Sequence, residues 1–294
     1  MCSPQAMATV QRAITRRRFL GAAGSTGALA VLGGVGRPQS AALQGAATPG
    51  ATPVIAPLGT PIATGCFGSV LDLTHTITPD FPVFPGSEQF QANVLVRVEQ
   101  DGFYKSQLVL DEHTGTHMDA PAHFDANGPT ADTLPVANFV APLAVIDVAA
   151  RAAANDDYQV TVDDILAWEA QNSALPEGAF VAMHSGWEAR LATPGAFLNA
   201  DAGGTLHFPG FAPDAAAFLV EERSIVGIGV DTISLDFGAS TDFATHLTVL
   251  PAGKYGLENL ANLSVAPPVG ATLVVGSPKH LNASGGPSRV LALF

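Results

Sequence analysis

The chain has 294 residues, of which 47% are hydrophobic and 13% charged, so it can bury a large core and most of it is not disordered. Its formal net charge is −13, but five of its 13 basic residues lie in the first 45 positions, where there is no acidic residue. The remaining eight basic residues stand against all 26 acidic ones. A body this acidic repels phosphate backbones, which argues against nucleic acid as a partner.

The N-terminal segment has the pattern of an export signal. Residues 15–20 read Thr-Arg-Arg-Arg-Phe-Leu, and an uncharged run rich in Gly, Ala and Leu follows to about residue 35. This arrangement resembles a twin-arginine signal, and the small residues at 40–42 suit cleavage. We predict that residues 1–42 are a twin-arginine-type signal peptide and that the protein is exported to the periplasm or the cell exterior. The alternative is an uncleaved membrane anchor, although the run is short and diluted by Gly, Ser and Thr.

A proline-rich spacer follows the predicted signal peptide. Prolines recur at every fourth position from Pro49 to Pro61, a density that forbids helix and favours an extended chain. We interpret residues 43–65 as a linker and residues 66–294 as the folded domain. Cys66 would be the single cysteine left after removal of the leader, so no intrachain disulfide is expected. No later run is long and apolar enough to predict a membrane span in the mature chain.

The folded part shows more strand patterns than helix patterns. Short apolar or alternating runs bounded by Gly, Pro and polar residues predict strands at 70–75, 90–98, 106–110, 140–148, 179–184, 225–230, 273–276 and 290–294. Helical spacing predicts helices at 162–170, where Trp168 belongs to the core, and at 213–222, where Pro213 stands near the start. No regular alternation of strand and helix is visible, so the prediction is one mixed α/β domain rather than a Rossmann fold.

One segment concentrates groups that can bind a metal. From His113 to His123 the sequence reads His-Thr-Gly-Thr-His-Met-Asp-Ala-Pro-Ala-His, which places three imidazoles and one carboxylate at even offsets. Gly115 and Pro121 disfavour a helix, and on an extended chain even offsets put side chains on one face. A single histidine would be interpreted as a hydrogen-bonded structural residue. Four such groups together predict a site for zinc or manganese, which bind imidazole and carboxylate ligands.

The same string resembles the signature of the metal-dependent cyclase/hydrolase family, whose best-known members are bacterial kynurenine formamidases and isatin hydrolases. Further blocks are similar and occur in the same order, at 72–75, 84–86, 207–210, 229–236 and 258–260. The resemblance runs from about residue 68 to the C-terminus. It implies a single α/β domain of the swivelling β/β/α type with a mixed or antiparallel sheet. It also implies a homo-oligomer, either a dimer or a tetramer.

The resemblance implies a role for each residue of the site. The implied metal ligands are, in chain order, His113, His117, Asp119, His246 and Glu258. The first two would bind one ion and His246 the other, while Asp119 and Glu258 would bridge both. His123 would transfer protons as the catalytic residue.

The sequence around the last two ligands gives its own expectation of local structure. His246 would lie on a short helix that begins near 240–242 and ends before Pro251. Glu258 would lie on the strand that follows the next turn. Residue types alone would not have identified this pair as metal ligands.

One position departs from the family pattern. Formamidases of the family commonly place a Trp against the aromatic ring of the substrate where this chain has Phe84. Phe keeps a stacking face but lacks the indole N–H donor. Phe84 is expected to contact the substrate, and the departure bears on the choice of substrate while it leaves the metal site intact.

For several other polar residues, the sequence suggests a role outside the set of metal ligands. His75 is expected to be structural or to support the site. Asp231 and Asp236, near the end of a buried strand, could orient metal ligands through hydrogen bonds. His184 and His207 could line the pocket.

The implied activity is metal-dependent hydrolysis of an amide C–N bond in a small molecule. The main prediction is an arylformamidase that acts on an aryl formamide such as N-formylkynurenine, a step of tryptophan catabolism. Two divalent ions, zinc in first place and manganese in second, would supply a metal-bound hydroxide, and His123 would protonate the leaving nitrogen. The alternative within enzymes is the opening of a cyclic amide such as isatin, or another ring-forming or ring-opening reaction of the family. The rival outside enzymes is a non-catalytic metal-binding protein, and the proton carrier at His123 argues against it.

Overall fold

The computed structural model describes residues 67–294. The predicted signal peptide (1–42), the predicted linker (43–65) and Cys66 lie outside the described residues and stay predictions. Within the described part, no helix is long and apolar enough to cross a membrane.

Most of the described strands belong to one sheet. The strands are β1 (Val70–Asp72), β2 (Gln91–Val96), β3 (Lys105–Val109), β4 (His117–Asp119), β5 (Val140–Asp147), β6 (Gln159–Val160), β7 (Phe180–His184), β8 (Gly210–Phe211), β9 (Gly227–Val230), β10 (Tyr255–Glu258), β11 (Ala271–Gly276), β12 (Gly285–Pro287) and β13 (Arg289–Leu293). Nine of them make a mixed sheet in the order β1-β13-β11-β5-β7-β9-β10-β4-β12. Strands β2 and β3 form a separate antiparallel hairpin, and β6 pairs with β8 in a short parallel ladder. The predicted α/β class with a mixed sheet is therefore confirmed.

The helices lie between these strands. The α-helices of the described residues are α1 (Val98–Asp101), α2 (Ala149–Ala152), α3 (Val162–Asn172), α4 (Pro213–Glu221) and α5 (Ala244–Val249). Helix α3 begins at a capping box, in which the Asp164 N–H donates to Thr161 Oγ1 and the Thr161 N–H donates to Asp164 Oδ2. Pro213 opens α4, where its missing N–H costs no hydrogen bond. All predicted strands and both predicted helices are present, with bounds that differ by a few residues.

The centre of the sheet is a parallel block that the sequence did not reveal. Strands β5, β7, β9 and β10 are adjacent and parallel, and helices α3, α4 and α5 lie on the three connections between them. The sequence pattern did not predict this parallel strand–helix block, although the alternation is not regular, since α2, β6 and β8 also lie on these connections. Strand β9 has two glycines in four residues and α5 has six residues, and elements this short carry no clear period. Gly227 of β9 is required, because a Cβ there would collide with the carbonyl oxygen of Tyr255.

The central sheet separates two hydrophobic layers. Along β7, Phe180 packs on one side while Val181 and Met183 pack on the other, as the two-residue period of a strand requires. Burial on both faces explains why the central strands are continuous apolar runs. In the second layer the Trp168 indole N–H donates to the Val145 carbonyl oxygen at 2.9 Å. The prediction that Trp168 belongs to the core is confirmed.

Candidate metal centre

Strands β4 and β10 bring the first ligand candidates together. They pair antiparallel, with His117 directly opposite Glu258 and Asp119 opposite Gly256. Because opposite residues on paired strands share a face, His117, Asp119 and Glu258 point into the same space. The His117 Nε2 lies 3.3 Å from Asp119 Oδ1 and 3.3 Å from Glu258 Oε2. All three side chains are buried, so they form an inward-facing cluster rather than a surface group of charges.

Helix α5 adds His246 to this cluster. Its Nε2 lies 3.2 Å from Glu258 Oε1 and 3.6 Å from Asp119 Oδ2. The short helix predicted around His246 and the strand predicted around Glu258 are both present, as α5 and β10. The helix begins a few residues later than predicted, because Phe243 takes left-handed backbone angles (φ 52°, ψ 40°) immediately before it.

His113 lies at the cluster because of a turn and not because of the extended strand that its spacing predicted. Of the three histidines and one aspartate of the motif, only His117 and Asp119 lie on a strand. Gly115 has a φ of +66°, which turns the chain before β4, and Pro121–His123 is a 3₁₀ turn. The expectation that four even offsets share the face of one extended strand was therefore wrong. The turn at Gly115 nevertheless brings His113 Nδ1 to 2.6 Å from Asp119 Oδ1.

The ligand candidates form two overlapping groups that share one carboxylate. His113, His117 and Asp119 make one group, and Asp119, His246 and Glu258 make the other, each with its ligand atoms within 4.8 Å of one another. Two buried atoms of the cluster, His117 Nε2 and Asp119 Oδ2, have no hydrogen-bond partner. A buried polar atom without a partner is costly, and a metal ion would satisfy both. The donors are imidazole nitrogens and carboxylate oxygens, so the residues present fit an ion such as zinc or manganese.

The cluster strongly favours positive charge. Burial disfavours a charged imidazole, but the carboxylates of Asp119 and Glu258 outweigh it and raise the pKa of His117 to about 10. Burial likewise opposes a charge on His246, but the carboxylates of Asp119, Asp236 and Glu258 outweigh it and raise the pKa of His246. Burial opposes the charge on Asp119, but the neighbouring histidines hold the pKa of that carboxyl well below its usual range. Without metal the cluster therefore holds protons, which a bound metal ion would displace.

Hydrogen bonds from outside the cluster orient two of its histidines. The His117 Nδ1–H donates to the carbonyl oxygen of Gly115 at 2.8 Å, and the His246 Nδ1–H donates to Asp236 Oδ2 at 2.5 Å. Each bond leaves Nε2 directed at the cluster, and ligating histidines are normally held in this way. The expectation that Asp236 orients a ligand candidate is confirmed.

A cavity of about 240 Å³ opens beside the cluster, and His123 lines it together with His113, His246 and Glu258. The His123 ring stacks on the ring of His113, with centroids 3.9 Å apart. His123 belongs to neither ligand group. Burial, together with repulsion from the two neighbouring imidazoles, outweighs the attraction of Asp119 and lowers the pKa of His123 to about 4. A neutral imidazole in this place can accept a proton.

Aromatic side chains make much of the remaining cavity wall. Phe84, the predicted substrate contact, lines the cavity, and its ring centroid lies 6.2 Å from that of Phe243. The Phe124 ring lies 5.7 Å from Phe243 and stacks on His246 at 4.7 Å. Nothing in the sequence pattern singled out Phe124 and Phe243, although the first directly follows the motif and the second comes shortly before His246. The other lining residues are Ser87, Ile233 and Ser234.

His184 and His207, which could have lined the pocket, lie elsewhere. His184 Nδ1 is 3.2 Å from Asp147 Oδ1, and His207 Nδ1 is 2.8 Å from Asp157 Oδ2. Neither histidine is among the residues that line the cavity. The possibility that they line the pocket is therefore not realised.

His75 and Asp231 make structural contacts. The backbone N–H of His75 donates to Thr116 Oγ1 at 2.9 Å, next to β4, a contact of the main chain that does not involve the imidazole. The Asp231 carboxylate accepts the backbone N–H groups of residues 185–187 and the Ser185 hydroxyl. Asp231 therefore fixes that loop, and the expectation that it orients a metal ligand was wrong.

A buried set of imidazoles and carboxylates beside an aromatic cavity, with a further histidine outside the ligand groups, is typical of a metal-dependent enzyme that acts on small molecules. Comparison with known proteins identifies the family to which the chain belongs. The family model described as Cyclase matches residues 71–237. The chain belongs to this cyclase family, which confirms the resemblance seen in its sequence.

Two relatives carry the names of enzymes that act on amide bonds. The isatin hydrolase of Roseibium aggregatum is 36% identical over 241 residues, which cover 76% of this chain and 91% of the relative. The kynurenine formamidase of Paracidovorax citrulli is 27% identical over 233 residues, which cover 75% of this chain and 94% of the relative. Both support hydrolysis of an amide bond. The higher identity to the isatin hydrolase favours the alternative, cyclic-amide prediction over the main, formamide one.

Solved structures agree with this assignment. Isatin hydrolase A from Labrenzia aggregata, bound to benzyl benzoate, has a TM-score of 0.73 at 38% identity and matches over 76% of this chain and 93% of its own. A protein described as a potential metal-dependent hydrolase with cyclase activity has a TM-score of 0.60 at 28% identity, over 76% of this chain and 97% of its own. Metal-dependent hydrolysis of an amide bond is thus the activity that the relatives and the site support together.

Proposed function

We propose that this protein opens a neutral cyclic aryl amide of the isatin type by hydrolysis of its C–N bond. One observation carries the choice of substrate: among the described residues that line the cavity, none is Lys or Arg. N-formylkynurenine carries an amino-acid carboxylate, which binding sites commonly pair with a cationic side chain. A flat, uncharged bicyclic amide needs no such partner and suits the phenyl rings of Phe84, Phe124 and Phe243.

The size and polarity of the cavity also support a small substrate. Its volume of about 240 Å³ is below the range of about 300–1,000 Å³ that is common for ligand pockets. Ser87 and Ser234 line the cavity, and a serine hydroxyl can donate to the carbonyl oxygen of a bound amide. A bicyclic amide therefore matches both the apolar rings and the few polar groups of this wall.

The two ligand groups would hold two divalent ions, one in each, with Asp119 common to both. Zinc is proposed first and manganese second, since the set has nitrogen and oxygen donors and no thiolate. When bound, such ions lower the pKa of water and polarise a carbonyl oxygen. The chain keeps the ligands fixed, through the bonds of His117 to Gly115 and of His246 to Asp236.

His123 would move the proton that hydrolysis requires. Its neutral ring can accept a proton as water adds to the amide carbonyl carbon. When the C–N bond breaks, the same ring returns the proton to the nitrogen, which leaves as an arylamine. The product is a ring-opened amino carboxylate. Stacking on His113 holds the ring of His123 at the cavity wall for both transfers.

Steady-state kinetics with the metal-loaded protein test the proposal. The substrates are isatin, N-formylkynurenine and formanilide, and the readouts are kcat/KM and the opened product. We expect kcat/KM for isatin to exceed that for either formamide by about tenfold or more. An equal or higher value for N-formylkynurenine would support the arylformamidase instead. Metal binding without turnover of any substrate would support the non-catalytic metal-binding protein.

We further propose that the chain forms a homo-oligomer, with a dimer as its smallest unit, through the β2–β3 hairpin. No other strand of residues 67–294 pairs with this hairpin, and a two-stranded hairpin is marginally stable in water. Its exposed large apolar side chains are Val94, Leu95, Val98, Phe103, Tyr104, Leu108 and Val109. Arg97 and Lys105 lie on the hairpin with Glu99 and Asp101, so a two-fold contact with a second copy can pair opposite charges.

Light scattering after size-exclusion chromatography tests this assembly. Leu95→Glu places a charge among the exposed apolar residues of the hairpin and should shift the protein to a monomer. Leu281→Glu is the matched control, because Leu281 is also exposed but lies outside the hairpin. A monomeric wild-type protein, or an equal shift in both variants, contradicts the proposal.

A further inference from the structure

The third histidine of the cluster has a different outer partner from the other two. The His113 Nε2 lies 3.0 Å from Ser284 Oγ, and that hydroxyl donates to Glu112 Oε2 at 2.6 Å. The backbone N–H of Ser284 also donates to Glu112 Oε2, at 2.9 Å. Glu112, Ser284 and His113 therefore form a continuous chain of hydrogen bonds that ends at the candidate metal centre.

The direction of these bonds fixes the position of the proton on His113. A carboxylate only accepts, so the Ser284 hydroxyl donates to Glu112 and its oxygen remains free to accept from His113. This acceptor keeps a proton of His113 on Nε2. Without metal, the Nδ1–H of His113 donates to Asp119 Oδ1 at 2.6 Å. A metal ion that displaces this proton would meet the Nδ1 lone pair, which faces the cluster, while Nε2 keeps its own proton. The other two cluster histidines are held in the opposite sense, with Nδ1 bonded outward and Nε2 inward.

The backbone is shaped to allow this approach. Ser284 is 171 positions from His113 in sequence, and it is placed by strand β12, where Gly285 pairs with Asp119 of β4. The Ala120 N–H donates to the Ser284 carbonyl oxygen at 2.8 Å and ties the two segments together. A Cβ on Gly285 would come within 2.8 Å of His113 Cε1. Glycine at this position therefore lets the strand lie against the imidazole.

We propose that Glu112 and Ser284 are positioning residues, which set the tautomer and ring orientation of His113 so that its Nδ1 can bind a metal ion. The inference rests on the metal site of the proposed function but not on the identity of the substrate. Because the ring of His123 stacks on His113 at 3.9 Å, the same bonds also support the proposed proton carrier. Removal of an outer partner of this kind typically weakens metal binding by about 10- to 100-fold.

Metal titration of the Ser284→Ala variant tests the role. Competition of metal-free protein with a chelator measures the affinity for Mn²⁺ and Zn²⁺, and elemental analysis gives the number of ions. We expect one metal equivalent to bind about 10- to 100-fold more weakly and the other to be unchanged. Ser288→Ala is the matched control, because Ser288 is also buried but its hydroxyl donates to the Gly286 carbonyl oxygen at 2.9 Å. Its metal affinities should equal those of the wild type.

Two further variants separate positioning from folding. Ser284→Thr keeps the hydroxyl and should restore the affinity, while Glu112→Ala, at a half-buried site, should weaken the same equivalent. The visible spectrum of the Co²⁺-loaded protein reports ligand geometry, so it should change in Ser284→Ala and not in Ser284→Thr. The inference is overturned if Ser284→Ala has unchanged metal affinity and an unchanged Co²⁺ spectrum. If Ser284→Ala does not fold, the same result in Glu112→Ala overturns it.

Failure of the proposed function has a different signature from failure of this inference. A wild-type protein that binds metal but leaves isatin intact contradicts the proposed substrate, while the affinity loss in Ser284→Ala still supports the positioning role. The positioning role is contradicted if the wild-type protein binds no divalent metal. It is also contradicted if Ser284→Ala and Ser288→Ala lose the same amount of metal affinity.

Discussion

The imidazole rings of His113 and His123 stack on one another, with centroids 3.9 Å apart and ring planes inclined by 25°. The two rings have different surroundings, since His113 Nδ1 lies 2.6 Å from Asp119 Oδ1 while His123 belongs to neither ligand group. Burial lowers the pKa of His123 to about 4, so its ring is neutral near pH 7. One ring is thus placed as a ligand candidate and its neighbour as a proton carrier that can meet the substrate.

Substitutions at His123 and Asp119 should separate metal binding from proton transfer. His123→Ala should keep nearly the full metal content and lower kcat for isatin by about 10²–10⁴, the usual contribution of a positioned acid or base. Asp119→Ala should lose metal, because it removes the carboxylate that both ligand groups share. Elemental analysis and initial rates on the same preparations measure both effects.

The leaving group of the substrate provides an internal control for this experiment. An activated anilide or ester needs less protonation of its leaving group, so His123→Ala should impair its hydrolysis least. Loss of half the metal from His123→Ala would instead make this histidine a ligand. An unchanged rate of His123→Ala with a substrate that has a poor leaving group would contradict the role of His123 as proton carrier.

Metal binding should weaken as the pH falls. The pKa of His117 is raised to about 10 in the metal-free protein, so near pH 7 a metal ion must displace its proton. Each displaced proton makes the apparent affinity fall by about tenfold for every unit of pH decrease. The pKa of His246 is raised as well, which adds a second proton. Titration with Mn²⁺ at several pH values between about 6 and 8 measures the slope, and an affinity independent of pH contradicts the expectation.

Phe243 combines a strained backbone with a place in the cavity wall. Its left-handed φ of 52° is unfavourable for an aromatic residue, whereas Asn tolerates this region. Phe243→Asn should therefore change the free energy of unfolding by less than about 1 kcal/mol, because relief of strain offsets lost packing. It should raise KM for isatin by about three- to tenfold, since one aromatic wall is lost. Phe243→Leu, which keeps apolar bulk, should raise KM less, and equal KM values in all three proteins would contradict the assignment.

Local pattern was sufficient for the parts of the site that lie close together in sequence. The two-residue offset of His117 and Asp119 predicted a shared face, and both lie on β4 with their side chains in one cluster. The same reasoning failed for His113 and His123, because a left-handed Gly115 and a 3₁₀ turn place them instead of one extended strand. His113, His117 and Asp119 do lie within one candidate ligand group, but the shared face of a single strand accounts only for His117 and Asp119.

Contacts between distant segments could not be derived from the pattern. Glu258 faces His117 through the register of two strands, and only the family resemblance pointed to it. Ser284 lies 171 positions from His113, so no periodicity connects them. The left-handed backbone conformation of Phe243 could not be predicted either. Such angles disfavour an aromatic residue, so they arise from the surrounding structure and not from local propensity.

Export stays a prediction from the sequence, since residues 1–42 lie outside the described residues. We propose that the arginine pair at Arg16 and Arg17 directs a twin-arginine-type route. Replacement of both by Lys preserves charge but removes the guanidinium groups. The variant precursor should accumulate inside the cell, as measured by immunoblots of cell fractions. Should it reach the exterior at the wild-type level, this signal assignment is wrong.

A bidentate ion pair between Glu169 of α3 and Arg223 after α4 should make stability depend on pH. Arg223 Nε and Nη2 donate to the two carboxylate oxygens at 2.8 Å each, and these bonds lower the pKa of Glu169 although burial opposes them. Because the pKa is lower in the folded state, the stabilisation is complete above the unfolded-state pKa of about 4.3 and is lost as the pH falls through the folded value. Glu169→Gln should therefore lower the free energy of unfolding by about 1 kcal/mol near pH 7, and the difference should shrink in acid. Denaturant titrations of wild type, Glu169→Gln and the exposed control Glu221→Gln measure this, and a difference that does not change with pH would show that the ion pair is not its source.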